Sequence, residues 1–98
     1  MIKDKKAKAA AKKLGLSTID LKKLQAAALA VWSGVESEAL KEGMKIGAED
    51  AIEIVLSCDF TLYCNKLLTP RVREVLDTSA DYELLQAAIR PVFKELYA

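Results

Sequence analysis

Apolar residues return at steps of three and four along most of this chain, and that period decides its fold class. The clearest run is Leu21, Leu24, Ala28, Val31, Trp32 and Val35. Between Ala26 and Trp32 the segment is apolar all round, which places this helix centrally. A second stripe, Tyr82, Leu85, Ile89, Phe93 and Leu96, marks a last helix starting at Ser79. Pro91 lies inside it, removes one hydrogen bond and should bend it. The expectation is an all-α, single-domain bundle of about five helices over residues 1–98.

Local signals set the remaining boundaries. Residues 3–13 are Ala/Lys-rich and helix-forming, either a basic N-terminal helix or a tail over 1–13 that buries little. Gly15 punctuates that segment. Ser17 then offers an N-cap, with Asp20 three residues on as the acid of a capping box. We expect Gly34 to kink or end the central helix, Glu36–Ile46 to run on helically through Gly43, and Gly47 to cap its C-terminus. Over 48–68, Ile52-Glu53-Ile54-Val55-Leu56 and Phe60-Thr61-Leu62-Tyr63 have β-type composition. Yet Asp50, Glu53, Ser57, Thr61 and Asn65 form a polar stripe at helical steps, while alternation fails at Ile54-Val55-Leu56. Helix is therefore preferred there. Thr69-Pro70 supplies a cap and a first-turn proline for a short helix ending near Asp77.

Charge is unevenly spread. The net formal charge is +1 over 98 residues. Residues 1–13 hold six lysines against Asp4, a net of +5, which leaves the body at −4. Such a start either seeks anions or is simply solvated. The hydrophobic fraction of 52% leaves enough Leu, Ile and Val to suggest a buried oligomer interface. The start has no apolar core of a signal peptide, and the longest apolar run has seven residues, well below the ~18 of a membrane span. On one helix Cys58 and Cys64 would point about 120° apart and sit about 9 Å apart along the axis, so no bridge is expected. A reduced, cytoplasmic protein with both thiols as small core residues follows.

One constellation suggests a task. Ala11, Gly15, Leu21 and Leu24, flanked by Ala10, Leu14 and Leu16, resemble the helix-turn-helix of bacterial and phage DNA-binding proteins over residues 7–26. Ala11 lets two helices cross closely, Gly15 takes the positive φ of a tight turn, and Leu21 and Leu24 pin the second helix. The resemblance implies that Ser17, Thr18, Ile19, Lys22 and Lys23 face the major groove while Lys5, Lys8, Lys12 and Lys13 meet phosphates. It also puts Asp20 near those phosphates, and no helix precedes the pair to brace it. The face lacks arginine and asparagine, so direct base readout would be thin. The same residues equally describe a solvated Lys/Ala helix, a glycine C-cap and an ordinary capped core helix.

Other candidates are read structurally. Asp59 falls in the apolar pattern; a helix break near Ser57 or a partner in Lys66 or Tyr63 explains it better than a functional acid. Glu49, Asp50 and Glu53 complement a helix dipole and form no expected metal site, since the chain has no histidine. Arg71 and Arg73 could contact phosphate from the first turn of their helix, but pairing with Glu74 and Asp77 on a solvated face is the expectation. No nucleophile elbow, glycine-rich phosphate loop or Cys-x-x-Cys is present, so neither an enzyme, a cofactor nor a small-molecule substrate is expected. The function expected is DNA binding through residues 3–26, accessory or regulatory, as a homodimer without a membrane role. The alternative is a protein–protein interaction module or small helical homo-oligomer using the Trp32 and Phe93 helices as its contact surface.

Overall fold

The computed structural model describes residues 5–41, 43, 45–60, 65–78 and 81–97. Five α-helices and no strand are found among them: α1 (Lys5–Lys13), α2 (Thr18–Lys41), α3 (Ala48–Leu56), α4 (Pro70–Thr78) and α5 (Tyr82–Leu96). A 3₁₀ turn at Asn65–Leu67 leads into α4. The all-α expectation therefore holds. The Cα radius of gyration is 12.7 Å, close to the ~13 Å of a folded chain of about 100 residues.

Helix α5 organises the core. Its Leu85, Ala88, Ile89 and Phe93 are buried, and α1, α2 and α3 all pack against it. Helix α1 brings only alanines to that contact: Ala7, Ala10 and Ala11 are buried, and with no longer side chain between them the two helices approach closely. This Lys/Ala segment thus buries one whole face against the body. Helix α2 contributes Leu21, Leu24, Ala27, Ala28, Val31 and Trp32, and α3 contributes Ala51, Ile52 and Val55. The stripe expected of α5 is truncated: Tyr82 is 46% and Leu96 53% exposed, because the helix outruns the core at both ends.

Two polar features of this core were not expected. Gln25 is 3% exposed, and its Nε2 donates to the Ala88 carbonyl at 2.9 Å. Pro91 withholds its helical donor from the Ala87 carbonyl, one residue before the carbonyl that Gln25 reaches. The Trp32 indole N–H is buried without a partner in hydrogen-bond geometry. Burial raises the pKa of the neighbouring Tyr97; the Trp32 N–H opposes that rise without forming a bond of good geometry, and Glu36 adds to it.

Several boundaries differ from expectation. Helix α2 ends at Lys41 and Gly43 takes φ +75°, a conformation that favours glycine and closes the helix, so the segment does not run on to Ile46. Gly47 is the N-cap of α3, and its N–H donates to Asp50 Oδ2 at 3.4 Å. Helix α3 stops at Leu56, and the chain is non-helical at Asp59, so 48–68 is not one continuous helix. Asp59 is exposed in that break, just before helical Phe60, which fits the structural reading of it. Cys58 is a half-buried free thiol donating to the Ile54 carbonyl; Tyr63, Cys64 and Ser79 lie outside the described residues. Asp81, not Ser79, caps α5, accepting from the Leu84 N–H at 3.3 Å. At the N-terminus of α3, Glu49 meets Arg90 Nε at 3.0 Å, an exposed pair of small energetic weight.

Candidate nucleic-acid interface

The turn between α1 and α2 is built from backbone chemistry that its residues dictate. Gly15 has φ +73°. The Gly15 N–H donates to the Lys12 carbonyl at 3.1 Å and the Leu16 N–H to the Ala11 carbonyl at 2.8 Å. These are the two bonds of a Schellman motif, which needs a left-handed residue where Gly15 stands. The next helix opens on a reciprocal box: the Asp20 N–H donates to Ser17 Oγ at 3.1 Å, and the Ser17 N–H to Asp20 Oδ2 at 3.1 Å. Leu14, Leu16, Leu21 and Leu24 are all buried, so the apolar residues around the turn fix both helices to one core.

Helix α4 braces this turn from the other side. Arg71 donates from Nη2 to the Leu14 carbonyl at 3.0 Å and from Nε to the Gly15 carbonyl at 3.2 Å. Those carbonyls sit at the end of α1, where no intrahelical donor reaches them. Arg71 Nη1 also meets Glu74 at 3.0 Å, the pairing read from the sequence. Thr69 caps α4 by accepting from the Val72 N–H at 3.1 Å, and its hydroxyl donates to Asp20 Oδ1 at 2.8 Å. The Asp20 carboxyl is held below its usual pKa, first by the Ser17 N–H, then by the Thr69 hydroxyl, with the Arg71 charge adding to both. A carboxylate expected beside the phosphates is therefore engaged by three partners within the protein. Helices α4 and α5, later in the chain, brace the pair.

A groove of about 470 Å³ runs between α1 and the start of α2. Ala11, Leu16 and Leu21 form its apolar floor, and Lys8, Lys12, Ser17, Thr18 and Lys22 form its sides. Five of the nine residues named from the sequence thus line one concavity. Lys5 is exposed one turn before Lys8, so Lys5, Lys8 and Lys12 form a row along α1. Lys23 is exposed on the outer side of α2, beside Ile19. Lys13 stands apart, lining a second hollow of about 340 Å³ with Arg71, Glu74 and Asp81. Ser17 Oγ is already occupied as an acceptor by its own helix. The contact of Arg71 with the turn was not expected; it spans 57 residues and leaves no local signal.

The remaining candidates offer less. Asp59 borders a hollow of about 180 Å³ with Arg73, Asp77 and Tyr82. Among the described residues no cluster of His, Cys, Asp or Glu could hold a metal ion, and no helix is long and apolar enough to cross a membrane. Trp32 and Phe93 are 2% and 0% exposed, so these two side chains fill the core.

Fold and groove together define a small all-α protein whose first two helices meet at a cationic concavity. No family model, curated protein or solved structure matches the chain.

Proposed function

We propose that this protein binds nucleic acid, duplex DNA in the first place, through α1 and the opening turns of α2. The role is accessory or regulatory and not enzymatic, and binding is as a homodimer. The observation that carries the reading is the placement of charge. Helix α1 is docked on α5 by its alanine face, which turns Lys5, Lys8 and Lys12 outward as a fixed row beside Lys22. A disordered lysine tail would pay a large ordering entropy on binding; this row is already ordered. Asp20, the one carboxylate on the opening turns of α2, is bonded by Ser17 and Thr69 and its charge is partly offset by Arg71. The Ala11, Gly15, Leu21 and Leu24 pattern supports the same reading through its likeness to a helix-turn-helix. A dimer would double the phosphate contacts and set a half-site spacing.

The test is titration of the protein into a labelled mixed-sequence duplex, followed by fluorescence anisotropy at about 50 and about 200 mM salt. Four lysines on phosphates predict a slope of log K against log salt of about −3.6 per protomer, and a loss of roughly a hundredfold between the two conditions. No salt-dependent binding at micromolar protein ends the proposal. A clean 10.7 kDa mass in solution, on and off DNA, removes the dimer.

A further inference from the structure

Ile19 is the most exposed large apolar side chain among the described residues, at 68%. It lies in the first turn of α2, whose other large apolar residues as far as Trp32 are buried or half-buried. Ile19, Lys22, Lys23 and Ala26 are all exposed and fall within an arc of about 100° on the outer face of the helix. Ile19 and Ala26 are seven residues apart, about 10.5 Å along the axis, which is close to three base steps of about 3.4 Å. Two ammonium groups stand within that arc and no carboxylate does, because Asp20 falls outside it, on the side of the helix that bonds Thr69.

We infer that this outer face reads thymine methyl groups in the major groove, with Ile19 as the residue that determines specificity. The inference rests on the DNA-binding reading above. The face has no arginine, asparagine or glutamine to form a bidentate bond with a base edge. Its lysines are point charges, suited to phosphate or to any guanine acceptor. The apolar mark that one base pair shows and the others lack in that groove is the C5-methyl of thymine. An isoleucine kept in water next to two cations matches such a mark on a polyanion. Lys22 and Lys23 supply the attraction, and Ile19 gains only where a methyl is there to be covered.

The experiment compares duplexes of alternating A and T with the same duplexes in which uracil replaces every thymine. That change removes the methyl and leaves the pairing edges intact. Wild-type protein should bind the thymine duplex roughly fourfold more tightly for each methyl covered, the fold-change expected of one buried methyl-sized group. Ile19→Ala should bind the two duplexes within about twofold of each other and keep the wild-type affinity for the uracil duplex. Because Ile19 is exposed, the variant should retain the wild-type helical content by circular dichroism. Lys23→Ala should weaken both duplexes alike and leave their ratio unchanged. Equal wild-type binding to the two duplexes overturns the inference while the DNA reading stands. So does a thymine preference that survives Ile19→Ala. Absence of binding to either duplex at low salt removes both readings.

Discussion

Replacing Gly15 by alanine strikes the α1–α2 turn in two separable ways. The first is conformational: φ is +73°, and an L-residue held there costs about 1–2 kcal/mol relative to glycine. The second is steric: a Cβ on Gly15 would collide with the Arg71 guanidinium. That group lies at the end of a flexible side chain and can move aside, but moving it breaks its bonds to the Leu14 and Gly15 carbonyls. The Arg71 side chain is 43% exposed, so water takes up part of the loss, and about 1 kcal/mol for the two bonds together is a fair figure. Gly15→Ala should therefore destabilise wild-type protein by about 2–3 kcal/mol. In an Arg71→Ala background only the conformational part remains, about 1–2 kcal/mol. Urea denaturation followed by far-ultraviolet circular dichroism on the two single variants and the double variant gives the coupling directly. The expected coupling is about 1 kcal/mol, and Glu74→Ala should show none with Gly15→Ala. Equal costs of Gly15→Ala with and without Arg71 would refute the claim that α4 braces the turn.

Two further changes probe the interior. Gln25→Leu should cost about 1–2 kcal/mol although it makes the core more apolar, because the Ala88 carbonyl loses a buried donor; an unchanged urea midpoint would contradict the role given to Gln25. Asp20→Asn should lower stability at neutral pH and leave it unchanged at strongly acid pH. The folded carboxyl has a depressed pKa, so its contribution is complete above the unfolded value near 4 and fades as pH falls through the folded one. Urea midpoints of the two proteins should converge on acidification, and a constant gap down to pH about 2 would exclude this linkage.

Sequence disclosed the parts of this fold whose causes are local. Gly15, the Ser17/Asp20 box and the Thr69-Pro70 start each act within a few residues, so their patterns could be read directly. Gly43 and Gly47 show the limit of such reading. Both are glycines near a helix boundary, and which closes one helix and which opens the next depends on backbone direction between them. Asp50, three residues after Gly47, was the usable sign of an N-cap. The side chains that complete the candidate site come from far along the chain. Arg71 reaches Leu14, and Thr69 reaches Asp20, across separations of 57 and 49 residues. Nothing in the neighbourhood of either residue forecasts that meeting. The burial of α1 was hidden for another reason: alanines promise little apolar area, yet they let two helices approach closely enough to make Ala7 fully buried.

The central claim is that the lysines around the α1–α2 groove meet nucleic-acid phosphates. Its most direct test is the salt slope of duplex binding, measured for wild type and for a variant with Lys8, Lys12 and Lys22 all changed to alanine. These side chains are exposed and on helices, so the fold should survive. The account predicts a slope smaller in magnitude by about 2.7 in the variant, while Lys13→Ala, on the other side of α1, changes it by less than about 0.5. An unchanged slope in the triple variant would contradict the account and move any nucleic-acid contact away from this groove.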